Sequence, residues 1–558
     1  MNGNNNSNGL GSGKSVIVIG AGVGGSAIAA RLGRLGYKVS VYEKNDFCGG
    51  RCSLIHSNGH RWDQGPSLYL MPKMFEDTFN DLDESISDHL ELIKCPINYR
   101  VHFHDGKSIE LSTDIQSVYR QLETFEGANE STLLRFLDFL KESHVHYERS
   151  VKMALKTRYD SFWDLIRVKY LPELFSMHLY STVYRRATKY FKTDHMIKAF
   201  TFQSMYMGMS PYDSPGPYSL LQYTEIAEGI WYPKGGFNKV VQKLIEIGTN
   251  KYGVKFNYSK PVDKINVVKG ENGKQKVTGI TLANGDVVNA DLVICNADLV
   301  FAYNHLLPKT SYGTKLGYKD HTSSSISFYW GLNQILDQFT AHNVFLAQNY
   351  KASFDEIFKG HTLPTQASFY VNVPSRLDRS AAPEGKDTMV ILVPTGCMTN
   401  ETGADFDGLV ARARAQVIET IEKQLKIKNF ASYIETEIVN DPRTWKEKFN
   451  LWNGSILGLS HSIPQVLCFR PDMKSPIFDN LYFVGASTQP GTGVPIVLCG
   501  AKLLQDKIVQ DNDPHLIVNT TNQSNCKQSA NCQSNVWFNI CIPVLLLLIF
   551  YYFFASSN

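Results

Sequence analysis

The sequence predicts an α/β fold whose parallel sheet is assembled from segments at both ends of the chain. An antiparallel-sheet domain and a helical insertion lie between them. Three observations predict this. Residues 16–25 read V-I-V-I-G-A-G-V-G-G: an apolar run suited to a buried parallel strand, then Gly20, Gly22 and Gly25 spaced G-x-G-x-x-G. A helical pattern over residues 26–35 and a second strand over 38–42 follow, and that strand ends on Glu43. Far downstream, residues 480–500 (N-L-Y-F-V-G-A-S-T-Q-P-G-T-G-V-P-I-V-L-C-G) repeat the order strand, glycine turn, helix.

Each part of the first unit suits a dinucleotide. Gly20 allows the tight turn, Gly22 lets backbone approach a pyrophosphate, and Gly25 lets helix and strand pack closely. The helix N-terminus offers free N–H groups and the positive end of its dipole to phosphate. Glu43 is placed to accept hydrogen bonds from a ribose diol. A second glycine turn, Gly49-Gly50-Arg51, followed by Asp63, Gln64, Gly65, Pro66 and Ser67, points to FAD rather than NAD. A long flavin needs backbone and an arginine at its phosphates and ribityl chain, and a nicotinamide cofactor does not. The upstream run Gly11–Ser15, G-S-G-K-S, imitates a P-loop. The glycine such a loop requires would fall at Asn8, and the run precedes a strand instead of following one.

Residues 72–204 read as mostly helical. Within them, 162–191 mixes aromatic and basic residues, a pattern for a membrane-surface helix or a lid packed on the core. Dinucleotide-domain character returns at Gly235-Gly236, with a helix over 237–247 and a strand over 254–258. Val262 then falls on the adenine side of the cofactor. A hairpin turns at Asn284-Gly285, and residues 290–297 form a buried strand returning to the sheet. Strands over 325–332, 367–373 and 388–394 with a helix over 408–425 suit a substrate domain on an antiparallel sheet. At the C-terminal crossing, residues 481–484 form a strand, Gly485 and Gly493 punctuate the turn, and Val494 opens a helix aimed at the flavin's ring end.

The 558 residues exceed one compact core. With 56 Lys and Arg against 53 Asp and Glu, the net charge of +3 argues against a nucleic-acid partner recruited by bulk charge. The 28 Tyr and 31 Phe imply large apolar contact surfaces, either core or a greasy substrate channel. Ten cysteines lack zinc-ligand spacing and read as reduced thiols in a cytosol-facing protein; no metal is expected. Residues 536–555 carry no charge and are long enough to cross a hydrocarbon core, so they read as a tail anchor. The expected division is a disordered leader (1–14), FAD-binding parts at 15–71, 234–300 and 471–510, a helical, membrane-facing lid and substrate region (72–233), a substrate domain (301–470), a polar linker (511–535) and the transmembrane tail (536–555).

The 16–51 and 480–500 blocks together resemble the carotenoid desaturases of bacterial and fungal type, the phytoene desaturases, among amine-oxidase-like flavoproteins. Asn480, Gly485-Ala486-Ser487-Thr488-Gln489-Pro490-Gly491, Gly493 and Gly500 carry the specific part of that likeness, and the segment 218–236, ending W-Y-P-K-G-G, adds to it. The likeness spans about residues 15–507, and an apolar tail is similar to fungal members. It implies a Rossmann-like FAD domain of glutathione-reductase type. It also implies FAD-dependent, stepwise desaturation of phytoene toward neurosporene, lycopene or 3,4-didehydrolycopene. Phytoene and partly desaturated carotenes would be the substrates, a quinone or dioxygen the electron acceptor, and the bilayer the substrate reservoir. The enzyme would hang from the endoplasmic reticulum or another lipid-associated membrane by its tail. Glu225, Glu228, Asp213, Arg185 and Arg186 lie in or near the family-like centre, and none is singled out as the base. Another flavin oxidoreductase (a carotenoid isomerase or saturase, a protoporphyrinogen or amine oxidase) remains an alternative, as does a non-enzymatic prenyl-protein-binding relative.

Overall fold

The computed structural model describes residues 13–165, 170–270, 274–398 and 405–516. The leader, most of the polar linker and the apolar tail therefore lie outside the described residues. Among the described residues no helix is long and apolar enough to cross a membrane.

Five parallel strands form the cofactor-side sheet, in the order Leu481–Phe483, Leu292–Cys295, Ser15–Ile19, Lys38–Tyr42, Lys255–Asn257. Ser15–Ile19 and Leu292–Cys295 are buried almost throughout, as their unbroken Val/Ile/Leu composition requires of strands covered on both faces. The helix Val23–Arg34 follows the first glycine turn and begins three residues before the sequence expectation, because Gly24 and Gly25 fit inside its first turn. It packs between Asn238–Tyr252 and Val494–Asn512. Close approach is open to it because its middle is Ala27, Ala29 and Ala30, with Ile28 and Leu32 as larger anchors, all fully buried. Each of those two anchors contributes roughly 1.5–3 kcal/mol by burial.

The hairpin is present as Gln275–Leu282 and Val287–Asn289, with Gly285 at φ +91°. It belongs to a small sheet with Val262–Lys269 and Phe478–Asp479.

The second large sheet has seven strands, in the order Ile434–Asn440, Ser324–Leu332, Asp387–Thr395, Phe369–Asn372, His342–Phe345, Tyr99–His102, Ser108–Leu111. Two differences from the sequence reading appear here. The sheet is mixed, because His342–Phe345 runs parallel to Tyr99–His102. The helical insertion also lends it two strands, Tyr99–His102 and Ser108–Leu111. Both are four-residue segments, too short for their alternation to stand out. The rest of the insertion is helical, and its longest helix, Glu130–Ser150, is capped by Asn129, whose side chain accepts from the Thr132 N–H. Among the described residues of the expected amphipathic segment are the helices Phe162–Leu165, Leu171–Ser176 and Val183–Tyr190.

Candidate functional site

The carboxyl ends of the parallel strands open onto one cavity of about 470 Å³, lined from both terminal crossings and from the seven-stranded sheet. Of the ten residues the sequence nominates, Gly20, Gly22, Glu43, Gly50, Arg51, Val262, Gly485, Gly493 and Val494 line it. Gly25 does not, and the reason is steric: a Cβ there would lie 2.0 Å from the Gly20 carbonyl oxygen, so it acts on packing alone. Gly20 sits at φ +97°, and its N–H donates to the Tyr42 carbonyl at 2.8 Å. At Gly22 a Cβ would stand 2.7 Å from Asn296 Oδ1. The turn thus presents bare backbone to the cavity, as a cradle for phosphate must.

Two further contacts join the motifs. The Gly49 N–H donates to the Ala21 carbonyl at 2.8 Å, which locks the second glycine turn onto the first. Asn296, which sequence reasoning passed over as the end of a buried strand, donates from Nδ2 to the Val484 carbonyl at 2.8 Å. It thereby ties the N-terminal turn to the C-terminal crossing. The C-terminal helix, Val494–Asn512, follows Gly493 at φ +103°, which makes no side-chain cap, and residues 493–497 line the cavity.

Electrostatics follow from burial. Glu43 is 6% exposed; its Oε1 accepts from the Asn45 N–H at 2.9 Å and Asn45 Nδ2 at 3.0 Å, while its Oε2 accepts from the Ala21 N–H at 2.8 Å and keeps a second lone pair. Arg51 donates to the Ile456 carbonyl. Desolvation pulls its guanidinium below the usual range while nearby Asp298 opposes that shift. Asp63 does not line the cavity. Its carboxylate accepts from the Phe237 N–H and the Tyr232 hydroxyl, both at 2.6 Å, and burial pushes it up to about 6. It joins the first FAD-binding part to the Gly235-Gly236 turn.

Away from the glycine turns the wall changes character to Met71, Met205, Met207, Leu220, Leu221 and Tyr370. Polar atoms at this end form a chain. The Ser67 hydroxyl lies 2.8 Å from the Tyr370 hydroxyl, which lies 2.7 Å from His342 Nδ1. The Asn372 amide donates to the same Nδ1 at 3.2 Å, which makes that nitrogen the acceptor and places the ring proton on Nε2, toward Cys95 Sγ. Full burial lowers His342 to about 3, so it stays neutral. No sequence signal marked this pair, because its members come from neighbouring strands of a sheet whose order was not legible.

None of the family-centre charges lines the cavity. Asp213 and Arg185 are exposed, and Glu228 is half-buried against the Tyr147 hydroxyl. Glu225 is 2% exposed, accepts from Gln203 Nε2 at 3.0 Å and the Tyr99 hydroxyl at 3.2 Å, and is raised by burial to about 8. Glu142, His146 and His178 come together at ligand-like distances. The Arg186 guanidinium already engages both Glu142 oxygens, and so fills that site with a cation.

The donor set fits FAD: uncapped helix starts at two crossings, glycines where a Cβ would intrude, an acid after the second strand and a half-buried arginine. The family model for flavin-containing amine oxidoreductases matches residues 24–498. A phytoene desaturase of Phycomyces blakesleeanus is 58% identical over 498 residues, covering 88% of this chain and 85% of the relative. One of Fusarium fujikuroi is 49% identical, covering 89% and 90%. A zeta-carotene-forming phytoene desaturase of Myxococcus xanthus is 38% identical, covering 88% and 93%. In fold, a putrescine oxidase structure superposes with a TM-score of 0.59 at 13% identity, over 89% of this chain and 99% of that one. On these likenesses the chain belongs to the flavin-containing amine oxidoreductases and, within them, to the phytoene desaturase family.

Proposed function

We propose that this chain is an FAD-dependent phytoene desaturase, an oxidoreductase that creates one carbon–carbon double bond per turnover. The observation that carries the reading is a single cavity in which a dinucleotide cradle runs on into a wall of methionine, leucine and tyrosine. A hydrocarbon substrate offers no charge or hydrogen bond, so such a wall supplies recognition by burial alone. FAD, when bound, supplies the acceptor for a hydride, leaving the second hydrogen to depart from the neighbouring carbon as a proton. Gly20, Gly22, Gly50, Gly485 and Gly493 give it backbone contact. Glu43 would hold the ribose diol, Arg51 would serve the phosphate and ribityl stretch, and Val262 and Val494 would close either end.

The proton's outlet is the Tyr370–His342 pair. Tyr370 takes the proton on its oxygen while passing its own to His342 Nδ1. A weak base suffices there, because carbon–hydrogen acidity rises steeply as positive charge grows on the adjacent carbon. A quinone or dioxygen then removes the electrons.

The bilayer is the proposed reservoir of substrate. Trp163, Phe175 and Tyr180 are 63%, 58% and 61% exposed on the short helices of the insertion and the turn after them. Basic Arg149 and Lys152 stand beside Glu173, on the helix that carries Phe175. Such a surface suits an interface with lipid headgroups, and the uncharged segment 536–555 would anchor the chain with its catalytic domain in the cytosol, at the endoplasmic reticulum or another lipid-associated membrane. The test is to supply purified full-length protein with phytoene in vesicles. New visible absorption bands are expected; unchanged phytoene with an FAD-loaded protein would point to another flavin oxidoreductase.

A further inference from the structure

Among the described residues Arg470 is a buried cation with no carboxylate partner. It is 2% exposed, and all its donors end on main-chain carbonyls. Nε donates to Thr488 at 3.0 Å, Nη1 to Ser460 and Gln465 at 2.9 Å each, and Nη2 to Leu459 at 3.2 Å and to Ala486. The titratable groups facing it are Tyr218 and His461, and His461 is held neutral by its burial and by the guanidinium itself. Burial draws Arg470 down to about 10, which leaves it charged at neutral pH. Carbonyl dipoles solvate such a charge without neutralising it, and burying an unpaired ion is costly.

The position of this charge gives it a use. Residues 485–488, which include its acceptors Ala486 and Thr488, line the cavity at the C-terminal crossing, as do residues 492–494. Gly491 lies between them, and a Cβ there would stand 3.8 Å from Arg470 Nε. The guanidinium therefore lies one peptide layer behind the wall, beside the uncapped start of Val494–Asn512. Uptake of a hydride adds one unit of negative charge to whatever the cavity holds. A preorganised charge that water cannot screen is the arrangement that stabilises it.

We propose that Arg470 is a positioning residue for the redox step: it clamps the 486–488 loop and holds FAD's reduction potential up by placing a fixed positive charge behind it. This rests on the reading that the cavity takes FAD. A clamp alone would make Lys and Gln equally poor replacements, whereas a charge makes Lys the better one, so potentials distinguish the two.

The test uses full-length holoenzyme, with FAD content read from absorbance and the potential from equilibration with a redox dye. R470Q is expected to shift the oxidised-to-reduced equilibrium ten- to a hundredfold toward oxidised, about 30–60 mV for a two-electron couple, with R470K within about threefold of wild type. R470Q retaining one FAD per chain at the wild-type potential would overturn the proposal, as would R470K shifting as far as R470Q. Should neither variant fold, the wild type decides. Between about pH 5.5 and about pH 6.5 its potential is expected to fall by about 30 mV, one proton for two electrons, and a slope twice that would overturn the proposal. A wild-type chain that retains no FAD would instead remove the reading on which it rests.

Discussion

Gly25 and Tyr370 stand for two kinds of residue in this site. Gly25 touches no ligand, yet a methyl group there would meet the Gly20 carbonyl oxygen at 2.0 Å, with the Asn296 side chain at 3.1–3.2 Å leaving it nowhere to go. Gly25→Ala should therefore cost about 1–3 kcal/mol, read as a lower urea midpoint, and empty the chain of flavin absorbance. Tyr370→Phe removes one oxygen from the proton outlet and leaves the glycine cradle alone. Turnover on phytoene should fall by about 10²- to 10⁴-fold with FAD content unchanged, and full activity would put the proton elsewhere. The two also differ in legibility. The glycine spacing is a local signature with a mechanical reason. The Tyr370–His342 contact exists because two strands happen to be neighbours, which no spacing along the chain encodes. Asn296 escaped notice for the same reason: it reads as a strand end until Gly22 and Val484 surround it.

Among the elements, the parallel sheet was readable because its strands are unbroken apolar runs followed by glycine turns. The mixed sheet was only partly so. Ser324–Leu332 and Asp387–Thr395 are nine residues each and declare themselves, while Tyr99–His102 has four residues and hides in a segment of helical composition. The short helices Phe162–Leu165 and Leu171–Ser176 show another limit. Their sequence carries aromatic and basic residues at amphipathic spacing, and only the fold reveals which of these point outward. Trp163 and Phe175 are exposed, so replacing both by Glu should leave thermal stability within about 0.5 kcal/mol. Vesicle binding by the chain cut after residue 516 should weaken by at least tenfold, measured by co-sedimentation. Undiminished binding would shift membrane attachment to another surface.

For the whole molecule, buried titratable groups set the pH range of stability. His342 falls to about 3 and His102 and His146 to about 4, all by desolvation. Their unfolded forms bind protons first, so stability declines as pH drops below about 6.5. Glu225, raised to about 8, acts in the opposite direction: the unfolded chain loses that proton first, and stability falls as pH rises from its unfolded value toward 8. Stability should peak near about pH 6.5, with about 2 kcal/mol lost to Glu225 between about pH 6.5 and pH 8. Thermal melts of E225Q should lack that alkaline slope, and an unchanged slope would mean that Glu225 is ionised in the fold. The central claim is that both terminal crossings close on one flavin that oxidises a hydrocarbon lying in the same cavity. Anaerobic mixing of the purified, FAD-loaded chain with phytoene in vesicles tests it most directly. The yellow absorbance should bleach once, with one new double bond formed per flavin. A flavin that stays yellow beside untouched phytoene would contradict it.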